Sequence, residues 1–238
     1  MPTECLFHED AYLHTCEART VALTENGGIV LDRTVFYATS GGQPGDSGML
    51  TTAKGECVPI ATAVYVDDVR SEIAHVPEPG APMLSVGDVV IARIDWDKRY
   101  ARMRVHTALH LLSAALPHAV TGGSVGDGEG RLDFDIPESG LDKETITARL
   151  NEMIAADAPV THRWIGEDEL EAHPNLVKTK DVAPPRGRGR TRLILIAGVD
   201  LQPCGGTHVR STAEIGPVRV TQIEKKGKQN RRVRLALV

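Results

Sequence analysis

A chain of 238 residues, 41% hydrophobic and 25% charged, has room for one large domain or two small ones, each with a buried core. No apolar run reaches the length of a membrane span and no basic, apolar leader opens the sequence, so a membrane or secreted protein is not expected. The net charge of −5 is unevenly spread: from Lys178 onward 14 Lys and Arg face 4 Asp and Glu, a net of +10, which leaves −15 for the rest.

The first segment is expected to be β. Residues 20–24 and 29–36 flank Asn26-Gly27, a hairpin signal, and further short strands are expected at 60–66, 72–76 and 89–94. Between them lies a glycine-rich loop over residues 40–48. The proline-rich stretch 77–82 is a loop, since proline cannot donate to a sheet. Short strands separated by turns suggest a small β-barrel over residues 1–95.

From Asp97, a plausible N-cap, the period changes. Val105, Leu109, Leu112 and Leu116 form a helical core stripe that Pro117 ends. His106 and His110 sit one residue round from that stripe, at its edge. Residues 122–124 are expected as a second glycine loop, and residues 131–136 as a strand. A helix capped by Asp142 follows, buried through Ile146, Leu150, Met153 and Ile154. Strands at 160–165, 192–197, 217–224 and 232–237 complete an α+β domain over 96–238, with an antiparallel sheet and packed helices.

Two spacings carry the chemistry. His106 and His110, four apart on a helix, project from one face, and Cys204 and His208 flank a Gly-Gly turn. Together they offer three imidazoles and a thiolate, a donor set suited to zinc. Four ligands would close a structural site, whereas a catalytic ion keeps one position open. Ligands drawn from segments 94 residues apart favour a catalytic cleft.

Cys5, Cys16 and Cys57 form no C-x-x-C pair and are expected as small apolar fillers, a usage that suits the reducing cytoplasm and leaves Cys204 available as a thiolate. His8, His14, His75, His118, His162 and His173 are expected as surface or structural residues.

Lys225, Lys226, Lys228, Arg231, Arg232 and Arg234 crowd into one expected hairpin, where a phosphate backbone would relieve their mutual repulsion. A solvated basic face is the alternative. The basic loop 184–190 suits phosphate without base selectivity, or serves solubility. Asp133 and Asp135 share one strand face and are candidates for acid–base or ligand-supporting work; a locally bonded face is the alternative.

Four motifs resemble one family: TVFYATSGGQPGDSG at residues 34–48, HTALH at 106–110, QPCGGTHV at 202–209, and residues 214–233, ending in IEKKGKQNRRV. They look like the free-standing alanyl-tRNA editing proteins of the AlaX type, medium-sized class, relatives of the editing domain of alanyl-tRNA synthetase. The resemblance spans almost the whole chain in order. It implies a zinc-dependent aminoacyl-tRNA deacylase that hydrolyses the ester between a wrong amino acid, chiefly serine with glycine as a further candidate, and tRNA for alanine. His106, His110, Cys204 and His208 match the zinc positions.

Thr107 is then a candidate for pairing the serine hydroxyl, against a threonine bonded back to its own helix turn. Gly41, Gly42 and Gln43 are candidates for approaching the tRNA terminus, against a tight barrel turn. Many synthetase editing domains carry glutamine where Thr121 aligns here, which leaves that side chain without an assigned role.

Three other readings compete. Gly41-Gly42-Gln43 resembles the tripeptide of peptide release factors, but the zinc motifs have no place there. A zinc-stabilised tRNA-binding module without hydrolase activity is the main alternative. The editing domain of threonyl-tRNA synthetase has related His and Cys motifs, but residues 34–48 and 214–233 favour the alanine system.

Overall fold

Short β-branched runs broken by glycine and aspartate give the N-terminal part its strands: β1 (Glu4–Cys5), β2 (Thr15–Leu23), β3 (Ile29–Leu31), β4 (Arg33–Thr34), β5 (Gly48–Thr52), β6 (Cys57–Tyr65), β7 (Ile73–Pro77) and β8 (Val89–Ile94). The computed structural model describes residues 2–67, 69–136, 140–180 and 189–238. Their contacts divide the chain into two compact units, one ending at Tyr100 and the other beginning at Ala101.

In the first unit, six antiparallel strands close into a barrel in the order β2-β3-β7-β6-β5-β8, and β1 pairs with β4 in parallel. Leu31, Leu50, Val58, Ile60, Ile73, Val90 and Ala92 fill it. The β2–β3 hairpin turns at Thr24–Gly28, where Gly27 takes a φ of +78°. The strand expected over 29–36 breaks after Leu31, because the Asp32 carboxylate takes the N–H groups of Arg19 and Arg33 at 2.8 Å each. β5 opens on the last glycine of the glycine-rich segment. Its Gly48 is required by close packing, since a Cβ there would lie 2.1 Å from the Arg93 carbonyl oxygen.

The rest of that segment is a tight hairpin. Ser40 and Gln43 exchange backbone hydrogen bonds of 2.9 and 3.1 Å around Gly41 and Gly42, whose φ values of 56° and 81° are those of a type I′ turn. Below the turn, Tyr37 N–H donates to Asp46 Oδ2 at 2.7 Å. Arg99, fully buried, donates to Asp46, to Val35 O at 2.7 Å and to Ala11 O at 2.9 Å. The buried charge is thus paired, and each of its three nitrogens has an acceptor.

Helix α1 (Trp96–Ala115) runs across the division between the units. Asp95, two residues earlier than Asp97, accepts Lys98 N–H at 3.3 Å and caps the helix. The second unit continues with β9 (Val120–Val125), β10 (Glu129–Asp135), α2 (Lys143–Ala155), β11 (Val160–Gly166), α3 (Glu167–Ala172), β12 (Arg190–Ile196), β13 (Asp200–Pro203), β14 (Val218–Lys225) and β15 (Asn230–Leu237). Two antiparallel sheets result, β14-β15-β10-β9 and β11-β12-β13. The α+β architecture is the one expected from the sequence.

The stripe Val105, Leu109, Leu112 and Leu116 is buried as expected. Val105 and Leu109 pack against β10 at Gly130, where a Cβ would come within 2.6 Å of Val105 Cγ1. Asp142 caps α2 through Thr145 N–H at 2.7 Å, and Ile146, Leu150 and Ile154 face inward. Asn151 exchanges two hydrogen bonds with the Val218 backbone, tying α2 to β14.

Residues 122–124, expected as a loop, are strand. Gly122 and Gly123 pair with Asp133 and Leu132, and a side chain at 123 would press on Leu132 at 3.0 Å. Among the remaining cysteines, Cys5 and Cys16 pack on the barrel core as fillers, but Cys57 is exposed.

Candidate metal centre

His106 and His110 lie one turn apart on α1, and Cys204 and His208 lie on the loop that follows β13. The ligand atoms of all four fall within 4.8 Å of one another. Cys204 Sγ is 3.5 Å from His106 Nε2 and 3.4 Å from His208 Nε2. A tetrahedron with Zn–S of about 2.3 Å and Zn–N of about 2.0 Å has S···N edges of about 3.5 Å, so the donor set and its spacing fit zinc. His106, His110 and His208 are only 9, 6 and 5% exposed, so the charge of a bound cation would be held away from bulk water.

The electrostatics favour a thiolate. Burial alone would raise the Cys204 thiol, but His106 and His208 outweigh it and hold it well below its ordinary value. Burial pushes His208 down. For His110 burial also acts downward, yet the Asp200 and Cys204 hydrogen bonds win and raise it to about 9.

Behind the donors stands a layer of polar groups that the spacings did not reveal. His110 Nδ1 donates to Asp200 Oδ2 at 2.9 Å, which leaves Nε2 for the cluster. The Asp200 side chain has no exposed surface. Burial would raise its carboxyl, but His110 and Lys178 hold it down at about 2. Gln202 Nε2 adds a donor to Oδ2 at 2.7 Å, and Lys178 pairs with Oδ1. Asp200 was missed because its motif signal is slight. It lies four residues before Cys204 on a strand that brings it to the back of His110.

Arg192, 7% exposed, fixes the ligand loop itself, donating to Cys204 O at 3.2 Å and Gly206 O at 2.8 Å. Cys204 N–H returns a bond to Arg192 O at 3.0 Å.

Thr107 is fully buried. Its hydroxyl donates to Met103 O at 2.9 Å, receives Val209 N–H at 3.3 Å and lies 3.2 Å from His208 Nδ1. The bond to Met103 O is the return to its own helix turn that the sequence offered as the alternative.

The other candidates fall elsewhere. Gly41 and Gly42 form the exposed tip of the type I′ turn, whereas Gln43 is buried, so only the two glycines are accessible. In the β14–β15 hairpin, Arg232 grips Asp133 with two bonds of 2.8 Å, and Glu224 takes Arg234 at 2.7 Å and Lys226 at 2.9 Å. Arg231 is buried and bonds the Gly227 and Asn230 carbonyls. Two carboxylates, Asp133 of β10 and Glu224 of β14, thus partner three of the six cations, and Lys225 and Lys228 are exposed.

Asp133 also takes Arg131 at 2.7 Å, and Asp135 takes Lys180 at 2.6 Å. Burial would raise the Asp133 carboxyl, but Arg232 and Arg131 hold it low, which removes it as an acid at neutral pH. Thr121 accepts a bond from Asn230 at 2.8 Å. Most of the basic 184–190 loop lies outside the described residues.

Two family models match the chain: "tRNA synthetases class II (A)" over residues 11–98, and "Threonyl and Alanyl tRNA synthetase second additional domain" over residues 191–234, which includes Cys204 and His208. An "Alanyl-tRNA editing protein AlaX-M" of Methanosarcina mazei is 35% identical across 99% of this chain and 97% of its own length. One of the same name from Saccharolobus solfataricus is 34% identical, covering 97% of each. An "Alanine--tRNA ligase" of Pyrobaculum aerophilum is 35% identical over 94% of this chain, which spans 25% of that larger protein.

Proposed function

The chain belongs to the alanyl-tRNA editing proteins of the AlaX-M type, and from that membership we propose that it hydrolyses the ester of tRNA for alanine charged with the wrong amino acid. Serine is the principal substrate and glycine a second one. The observation that carries this reading is the convergence of His106, His110, Cys204 and His208 in a chain that aligns end to end with editing proteins.

His106, His110, Cys204 and His208 hold a zinc ion. Bound there, zinc supplies a Lewis acid suited to polarising the ester carbonyl or to positioning the aminoacyl group. Asp200 keeps the proton of His110 on Nδ1, and Arg192 holds the Cys204–His208 loop in its turn. The exposed Gly41–Gly42 turn offers backbone that a tRNA end can approach closely. Lys225 and Lys228 contact phosphate. The cytoplasm, where thiols stay reduced, suits a thiolate ligand.

Deacylation of seryl-tRNA for alanine by the purified protein, beside the alanyl form and with and without a zinc chelator, tests the reading. Loss of serine that the chelator stops, with alanine spared, is the expected result. An intact seryl ester in the metal-loaded protein would instead identify a zinc-stabilised tRNA-binding module.

A further inference from the structure

We infer that Thr107 is a positioning residue of the metal centre, its hydroxyl accepting the Nδ1–H of His208 so that Nε2 of that ring faces the ion. The inference rests on the metal reading above. His208 turns Nε2 toward the donor cluster, 3.4 Å from Cys204 Sγ, and Nδ1 toward Thr107 Oγ1 at 3.2 Å. A neutral imidazole carries one proton. A ring that ligates through Nε2 therefore holds its proton on Nδ1, aimed at a fully buried oxygen.

That oxygen is itself oriented. Its own proton is taken by Met103 O, one helical turn back at 2.9 Å, so its lone pairs face His208 and the Val209 N–H. Thr107 stands between His106 and His110 on α1 and reaches both His208 and Val209 on the loop. One side chain thus sets the register of the helix donors against the loop donors. Outer partners of this kind fix tautomer and ring orientation, and their loss commonly weakens metal binding by roughly 10–100-fold.

Zinc affinity by chelator competition and imidazole ¹⁵N spectra of the zinc-loaded protein test this. Wild type is expected to show zinc on Nε2 of His208 and a slowly exchanging Nδ1–H. Thr107→Val keeps the volume but removes the acceptor, and is expected to bind zinc roughly 10–100-fold more weakly. Thr107→Ser restores the oxygen and is expected to restore wild-type affinity and the Nδ1–H signal.

Equal affinity in Thr107→Val, or weak binding in Thr107→Ser while its Nδ1–H signal persists, would overturn the inference. So would wild-type spectra with zinc on Nδ1, or with an Nδ1–H that exchanges as fast as in an exposed imidazole. The wild-type spectra decide the matter even if Thr107→Val does not fold. A wild-type protein that binds no zinc sinks the metal reading itself, a result distinct from the others.

Discussion

Asp200 has no exposed side-chain surface, yet three side chains donate to its carboxylate, and one of them is a candidate ligand. Asp200→Asn keeps the shape but removes the charge that stabilises the Nδ1–H of His110. Zinc affinity measured by chelator competition is expected to fall about 10–100-fold; an unchanged affinity would show that His110 needs no such partner.

His75 makes a different residue-scale prediction. It is fully buried in the barrel, Nε2 at 2.8 Å from Thr34 Oγ1 and Nδ1 at 2.9 Å from Ile29 O, and burial depresses its pKa from 6.5 to about 4. The unfolded chain therefore takes the proton first. The stabilisation is complete above pH 6.5 and is lost as pH falls toward 4, up to about 3 kcal/mol in all. Urea unfolding of wild type and His75→Gln across that window is expected to show a slope in the first that is missing from the second.

Elements were legible where one physical signal dominated. The period of α1 and α2 and the Asp142 cap stood in the sequence, and Asp142→Ala is expected to lower the midpoint of chemical denaturation. Strands hidden by glycine were not legible. Gly48 and Gly122-Gly123 read as loop because their missing side chains signal freedom, whereas here they mark close packing and ladder pairing.

In the β14–β15 hairpin a count along the chain is incomplete for a related reason. It sees six cations, but one of the carboxylates that pair with them, Asp133, comes from β10, about 100 residues earlier. Lys225→Ala and Lys228→Ala are each expected to lower the salt slope of tRNA binding by roughly 1. Arg232→Ala should act mainly on stability, because it leaves Asp133 with one cation fewer. A filter-binding titration across salt concentrations, set beside a thermal melt, separates the two effects.

Across the whole molecule, all four donors belong to the second unit. The histidine pair and the Cys–His pair were each visible as spacings, and their convergence is a property of the fold. The groups behind them, Asp200, Arg192 and Thr107 as a partner of His208, depend on how strands and loop pack and had no local signature. Chelating the metal is expected to lower the melting temperature and abolish deacylation together; a melt unchanged by chelation would separate the site from stability.

His110 and Cys204 are 94 residues apart in sequence. An ion shared between them would therefore act as a reversible cross-link across most of the second unit, in a chain whose described residues hold no disulfide. Closing a loop of that size removes conformational freedom from the denatured ensemble as a disulfide would, on the order of 4–5 kcal/mol in the chain-entropy account. Unlike a disulfide, such a tether loosens when zinc is scarce or the pH falls, and it survives reducing thiols. The durability of this fold would then follow the cell's zinc rather than its redox state.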